Sequence, residues 1–192
     1  LGLPEGTRRL LVSPDGALGY VPFAALVADL ELAYVASGST YGVLREERTD
    51  PGTRVLALGD PDYQVKFDPT ALELYAPVQR TGSAPIVRGG RLTPLPGTRA
   101  EATAVGDVTL LGKDASEGKL VEAVLQHAGR WRAIHFACHG LVDPDRPSLS
   151  SLALTPDGAN DGFLTVLEVL RMDLRADLAV LSACETGRGK VV

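Results

Sequence analysis

Cysteine is scarce: Cys138 and Cys184 are the two in a chain of 192 residues. Two cysteines exclude a disulfide scaffold and point to a reducing compartment, so a cytoplasmic location is expected. Long apolar runs are missing as well. None approaches the ~20 residues that a bilayer-spanning helix needs, and the amino end carries no secretory pattern, so no membrane partner is expected. Positive charge is also in short supply, with 19 Lys and Arg against 24 Asp and Glu for a formal net charge of -5. No basic stripe stands ready to neutralise phosphates, which excludes nucleic acid as a direct partner in this reading. Internal repeats and low-complexity tracts are lacking too.

What is there suits one globular domain, with 45% hydrophobic and 22% charged residues and enough chain to bury a sizeable core. Arg8 to Ser13 and Ala17 to Val21 flank the turn signal Pro14-Asp15-Gly16, so a β-hairpin is expected to open the chain. A short helix over Pro22 to Val27 and a strand over Leu32 to Ala36 follow. Arg54 to Gly59 is a compact apolar strand ending in Gly59-Asp60-Pro61-Asp62. From there to Leu92 no clean period appears, and Gly, Pro and Ser across Pro77 to Pro96 predict a long surface loop. Thr98 with Glu101 has the spacing of a capping box and predicts a helix to Val105. Val108 to Gly112 reads as a strand. Ser116 or Asp114 caps a helix to Ala128 with Leu120, Val121, Val124, Leu125 and Ala128 on one face. Ala133 to Cys138 is the next strand. Leu152 to Thr155 and Gly162 to Leu164 bracket Pro156-Asp157-Gly158 as a hairpin. Thr165 with Glu168 is a second capping box opening a helix to Leu174, and Leu178 to Ala183 is the last strand. Strand and helix alternate from Arg54 onward, which predicts a mostly parallel sheet with helices on both faces.

Two runs carry chemistry: Ile134-His135-Phe136-Ala137-Cys138-His139-Gly140 and Leu181-Ser182-Ala183-Cys184-Glu185-Thr186-Gly187. Each is an apolar strand that delivers a reactive side chain and then a glycine. In a parallel sheet the carboxyl ends of neighbouring strands share one crevice, where a histidine can take the proton of a thiol. His139 is therefore the candidate base and Cys184 the candidate nucleophile. The backbone N–H groups of Gly140 and Cys184 are the candidate oxyanion donors. Glycine after His139 would let the chain turn sharply there. Alternation turns Cys138 to the opposite face, a core position. His135 is assigned to a satisfied core or supporting role, and His127 to a helix end. Asp143, Asp145 and Asp161 read as solvated loop charges. Zinc is the competing use of His135, Cys138, His139 and Cys184, but the spacing does not suit it. No metal and no cofactor are expected.

With these motifs in place the sequence resembles the CHAT family, caspase-like domains related to caspases, separase and gingipains. The likeness rests on the opening segment Arg9 to Gly16 with Val21 to Leu26, on Val55 to Pro61, on Leu95-Pro96-Gly97-Thr98 with Glu101, and on the two signature runs. It implies a caspase-hemoglobinase-like three-layer sandwich with small β-hairpins, and a cysteine endopeptidase that uses His139 and Cys184 through a thioester. Such peptidases take a protein or peptide substrate and are regulated, in some members within bacterial defence or cell death. Ser182, two residues before the cysteine, and Glu185 are the candidate pocket residues. The family normally continues beyond Val192, so residues 1-192 are expected to form a CHAT peptidase domain incomplete at its C-terminal end. A second chain or C-terminal fragment is expected to complete the sheet, and a repeat domain or activator to be a further partner. The alternative is a non-catalytic interaction or regulatory module.

Overall fold

In the computed structural model the chain is described over residues 3–27, 29–46, 50–75, 87–88 and 91–183. It divides into two compact units, Leu1–Asp50 and Pro51–Val192. Among the described residues no helix is long and apolar enough to cross a membrane.

In the first unit, β1 (Arg9–Val12) is followed by α1 (Phe23–Leu26), β2 (Glu31–Tyr34) and α2 (Gly38–Glu46). β1 and β2 pair in parallel, Arg9 opposite Glu31, and those two side chains form a 2.7 Å ion pair. The hairpin expected across Pro14-Asp15-Gly16 does not form. Instead the Asp15 carboxylate accepts the Gly16 N–H at 2.9 Å and starts a 3-10 turn over Gly16–Tyr20. Ala17-Leu18-Gly19-Tyr20 holds no β-branched residue to favour a strand, so the turn coils and β1 finds its partner after the crossover.

The second unit runs β3 (Arg54–Pro61), α3 (Pro69–Tyr75), β4 (Val87–Arg88), β5 (Arg91–Leu92), α4 (Thr98–Val105), β6 (Val108–Gly112) and α5 (Glu117–Gln126). It continues with β7 (Trp131–Ala137), β8 (His139–Leu141), β9 (Ser151–Ala153), β10 (Phe163–Thr165), α6 (Val166–Val169) and β11 (Ala179–Ser182). Four of these strands make a parallel sheet in the order β11-β7-β3-β6. Alternation sorts its side chains. Leu56, Leu58, Ile134 and Phe136 join Leu120 of α5 in one buried cluster, each contributing roughly 1.5–3 kcal/mol. α4 covers the other face at close range. A Cβ at Gly59 would stand 2.5 Å from the Thr98 carbonyl oxygen and 2.6 Å from the Ala102 Cβ, so the strand needs glycine there.

The expected hairpin around Pro156-Asp157-Gly158 forms as β9 and β10. With β8 they build a three-stranded antiparallel sheet, β10-β9-β8. Its inner face packs on a second cluster that includes Tyr63, Phe67, Leu72, Leu92, Leu141 and Phe163.

Helix details depart from expectation for local reasons. α4 spans the predicted residues, but its cap residue is Gly97, with no side-chain bond. The Thr98 hydroxyl serves elsewhere, accepting the Asp60 N–H and donating to the Leu95 carbonyl, both at 2.9 Å. α5 is capped by Ser116 as expected but stops at Gln126, with His127 extended. Its core-facing stripe is the buried Leu120 with the partly buried Ala123 and Val124. Leu125, one residue further round the helix, is 79% exposed. The Thr165–Glu168 capping box is present, yet α6 ends at Val169 rather than Leu174. α3 was not expected. The Asp68 carboxylate caps it, accepting the N–H groups of Thr70 and Ala71 at 2.8 and 3.1 Å, and Pro69 fills the first helical position. Within the predicted Pro77 to Pro96 loop, β4 and β5 form a short antiparallel pair; residues 77–86 and 89–90 lie outside the described residues.

Candidate active site

At the carboxyl end of β7 the chain changes sheets. β7 ends at Ala137, Cys138 follows, and His139 opens β8. Parity places Cys138 with Ile134 and Phe136 in the core, where it is 1% exposed. Burial alone pushes its thiol up to about 12, so it carries no nucleophilic thiolate near neutrality. The core assignment of Cys138 holds. His135 faces the α4 side and donates from Nε2 to the Glu101 carboxylate at 3.0 Å. That is the supporting role assigned to it, and it explains why Glu101 does not complete a capping box. His127 ends α5 and stacks on Trp131 with ring centroids 4.0 Å apart.

His139 is gripped from three directions. Its main-chain N–H donates to the Tyr63 hydroxyl at 3.1 Å. Its ring lies against the Tyr63 ring, centroids 5.1 Å apart and planes at 36°. Its Nε2 lies 2.7 Å from the Thr93 carbonyl oxygen. A carbonyl oxygen only accepts, so Nε2 carries the proton and the neutral ring presents Nδ1 as its basic nitrogen. Burial lowers the pKa of His139 below the ordinary value, with the Thr93 carbonyl opposing in part. The imidazole is thus neutral at neutral pH, the form that can accept a proton.

Gly140 does not release the chain into a sharp turn. It is an interior strand residue of β8, buried and opposite Leu152 in the β9 ladder. Ser182 ends β11, half-buried, opposite Ala137 of β7. The carboxyl ends of β7 and β11 therefore stand side by side. Cys184 and Glu185, two and three residues further in sequence, lie outside the described residues.

The loop from Leu141 to Ser150 is tied down. Asp143, read from sequence as a solvated charge, is buried. Its carboxylate accepts the Arg146 N–H at 2.8 Å and the Arg146 guanidinium at 2.9 Å, and these contacts hold its carboxyl below the usual range. Among the described residues no group of three or more His, Cys, Asp or Glu side chains is placed to hold a metal ion.

Two contributors were not foreseen. The Thr93 contact is made by main chain, which no residue identity announces. Tyr63 had a signal: an aromatic with a polar tip, directly after the glycine-proline turn that ends the β3 strand.

The CHAT domain family profile matches residues 2–192, and a search of curated proteins returned no match. A match over nearly every residue, on a chain whose parallel sheet brings the ends of its two signature strands together, places the protein in the CHAT domain family, a caspase-like family.

Proposed function

We propose that this chain is a cysteine endopeptidase in which His139 is the base and Cys184 the nucleophile, on a caspase-hemoglobinase-like three-layer frame. The observation that carries the reading is the Nε2 contact of His139 with the Thr93 carbonyl at 2.7 Å. It leaves Nδ1 of a buried, neutral imidazole free to act as base.

In this mechanism Nδ1 takes the Cys184 proton and the thiolate attacks the scissile carbonyl carbon. The carbonyl oxygen becomes an oxyanion, stabilised by the backbone N–H groups of Gly140 and Cys184. Collapse breaks the C–N bond, the imidazolium returns its proton to the leaving amine, and a thioester remains on Cys184. Water, deprotonated by the neutral imidazole, then attacks the thioester. The carboxylic acid leaves and the thiol is restored. Ser182 and Glu185 shape the pocket for the side chain that precedes the cut. The substrate is a protein or peptide, and the setting is regulated proteolysis in the cytoplasm, with bacterial defence or cell death as its context.

The test is cleavage of a peptide library varied at the residue before the scissile bond, by wild type and by Cys184→Ala. Cleavage by wild type that falls at least about a thousandfold in the variant is the expected outcome. Equal cleavage by both, or none by either together with a Cys184 that resists alkylation in the folded protein, moves the assignment to a non-catalytic interaction or regulatory module.

A further inference from the structure

The geometry points to Tyr63 as a positioning residue for His139, one whose hydroxyl fixes the main chain of the base while its ring fixes the imidazole. The inference rests on the reading of His139 as the base and adds a residue that neither signature run contains.

The hydroxyl of Tyr63 has two partners, and its one proton is committed. It donates to the Ala153 carbonyl at 2.8 Å and accepts the His139 N–H at 3.1 Å. Ala153 and His139 face each other as the first rung of the β8–β9 ladder. The phenol oxygen is thus bonded to both members of the rung at which the chain leaves the parallel sheet. Tyr63 is 2% exposed and Ala153 fully buried, so water does not replace these bonds. Desolvation raises the phenol pKa well above its ordinary value, and the hydroxyl stays protonated across the range in which the imidazole titrates.

Tyr63 is itself held. It follows β3 directly, where Asp62 N–H donates to the Thr155 hydroxyl at 2.8 Å and that hydroxyl donates to the Gly112 carbonyl at 2.8 Å. The ends of β3 and β6 are therefore bound to each other through the Thr155 hydroxyl, just beyond β9, with the residue next to Tyr63 as one partner. A base whose ring is turned a few tens of degrees loses alignment with its thiol, and small misplacements of a reacting group cost large factors in rate. The Nε2 end of the ring is set by the Thr93 carbonyl at 2.7 Å. Tyr63 and Thr93 together hold the imidazole in the orientation observed.

The test uses Tyr63→Phe in the full chain, which keeps the ring and removes the hydroxyl. The probes are the titration of the His139 ring by NMR and the rate of Cys184 alkylation by iodoacetamide as pH rises, with His139→Gln beside them. In Tyr63→Phe the His139 midpoint is expected to move up toward the ordinary histidine value, and the alkylation rate to fall about tenfold. A protein that is merely less stable would not shift the midpoint of its folded fraction. An unchanged midpoint in a folded Tyr63→Phe overturns the role of Tyr63, whatever alkylation does. An alkylation profile that His139→Gln leaves unaltered instead overturns the base assignment, and the midpoint still decides on Tyr63. If Tyr63→Phe does not fold, 3-fluorotyrosine at position 63 retains shape and hydroxyl. There a displaced His139 amide proton resonance supports the contact and an undisplaced one rejects it.

Discussion

At the scale of single residues, the two histidines and the cysteine of the first signature run are separated by one alternation of a strand. Cys138 and His139 are neighbours in sequence and opposites in environment. One has its thiol pushed up to about 12 in the core, while the other meets the Thr93 carbonyl through Nε2 and so keeps Nδ1 as its basic nitrogen. Iodoacetamide on the native protein at about pH 8 is therefore expected to leave Cys138 unmodified, with labelling only after denaturation. Peptide mass analysis reads this directly, and a Cys138 adduct on the folded chain would refute it. Cys138→Ser keeps the volume but gives a hydroxyl no partner among Leu56, Ile134 and Phe136. A loss of roughly 1–3 kcal/mol in urea unfolding is expected. These assignments were legible because alternation in a strand is a strict rule. The grip on His139 was not legible in the same way, since one arm is the Thr93 carbonyl and the other comes from Tyr63, 76 positions before it in sequence.

Single elements were legible where one rule decided them and illegible where two competed. β3, β6 and β7 are apolar runs with one place to go. Thr98 obeyed the cap spacing but had a stronger use, the Asp60 N–H at the strand end, so the helix formed without the box. Thr165 had no rival and its box closed. α3, over Pro69–Tyr75, was too short to show a period, and Asp68-Pro69 was the one usable sign. Helix α5 adds an energetic consequence that sequence did not hint at. Its first residue, Glu117, is 3% exposed and accepts the Gly162 N–H at 3.1 Å. Burial, then the charges of Glu168, Asp161 and Asp157, push its carboxyl up to about 7 from an ordinary 4.5. Between those values the folded chain keeps a proton that the unfolded chain has released, so stability falls as pH rises through this window. Glu117→Gln keeps an acceptor for Gly162 and carries no charge. It is expected to flatten that slope and to be more stable than wild type at about pH 8 by on the order of 1–2 kcal/mol. Urea unfolding at about pH 5 and about pH 8 measures both effects, and an unaltered slope would assign the pH response to Asp161, whose carboxyl is also raised.

For the molecule as a whole, the candidate site is a product of topology more than of any motif. His139 belongs to the antiparallel sheet, where Tyr63 and Thr93 hold it, whereas the second signature run belongs to the parallel sheet through β11. Among the described residues β7 links them directly: it ends next to His139 and pairs with β11 in parallel, Ser182 opposite Ala137. Sequence order made a parallel sheet legible, because strands and helices alternate. It did not reveal that the chain changes sheets between Cys138 and His139. This division makes the two halves of the site separable by mutation. Among the described residues β11 has β7 as its one neighbour in the sheet. Val180, opposite His135, is a position where proline removes a main-chain donor from that short edge strand. In Val180→Pro the alkylation of Cys184 is expected to lose its dependence on His139, because the second run is no longer held beside the first. The His139 midpoint is expected to stay at its wild-type value, since its contacts with Tyr63 and Thr93 do not involve β11. A midpoint that moves along with the thiol reactivity would show that the two sheets act as one rigid body, and that His139 is oriented through the parallel sheet as much as through Tyr63.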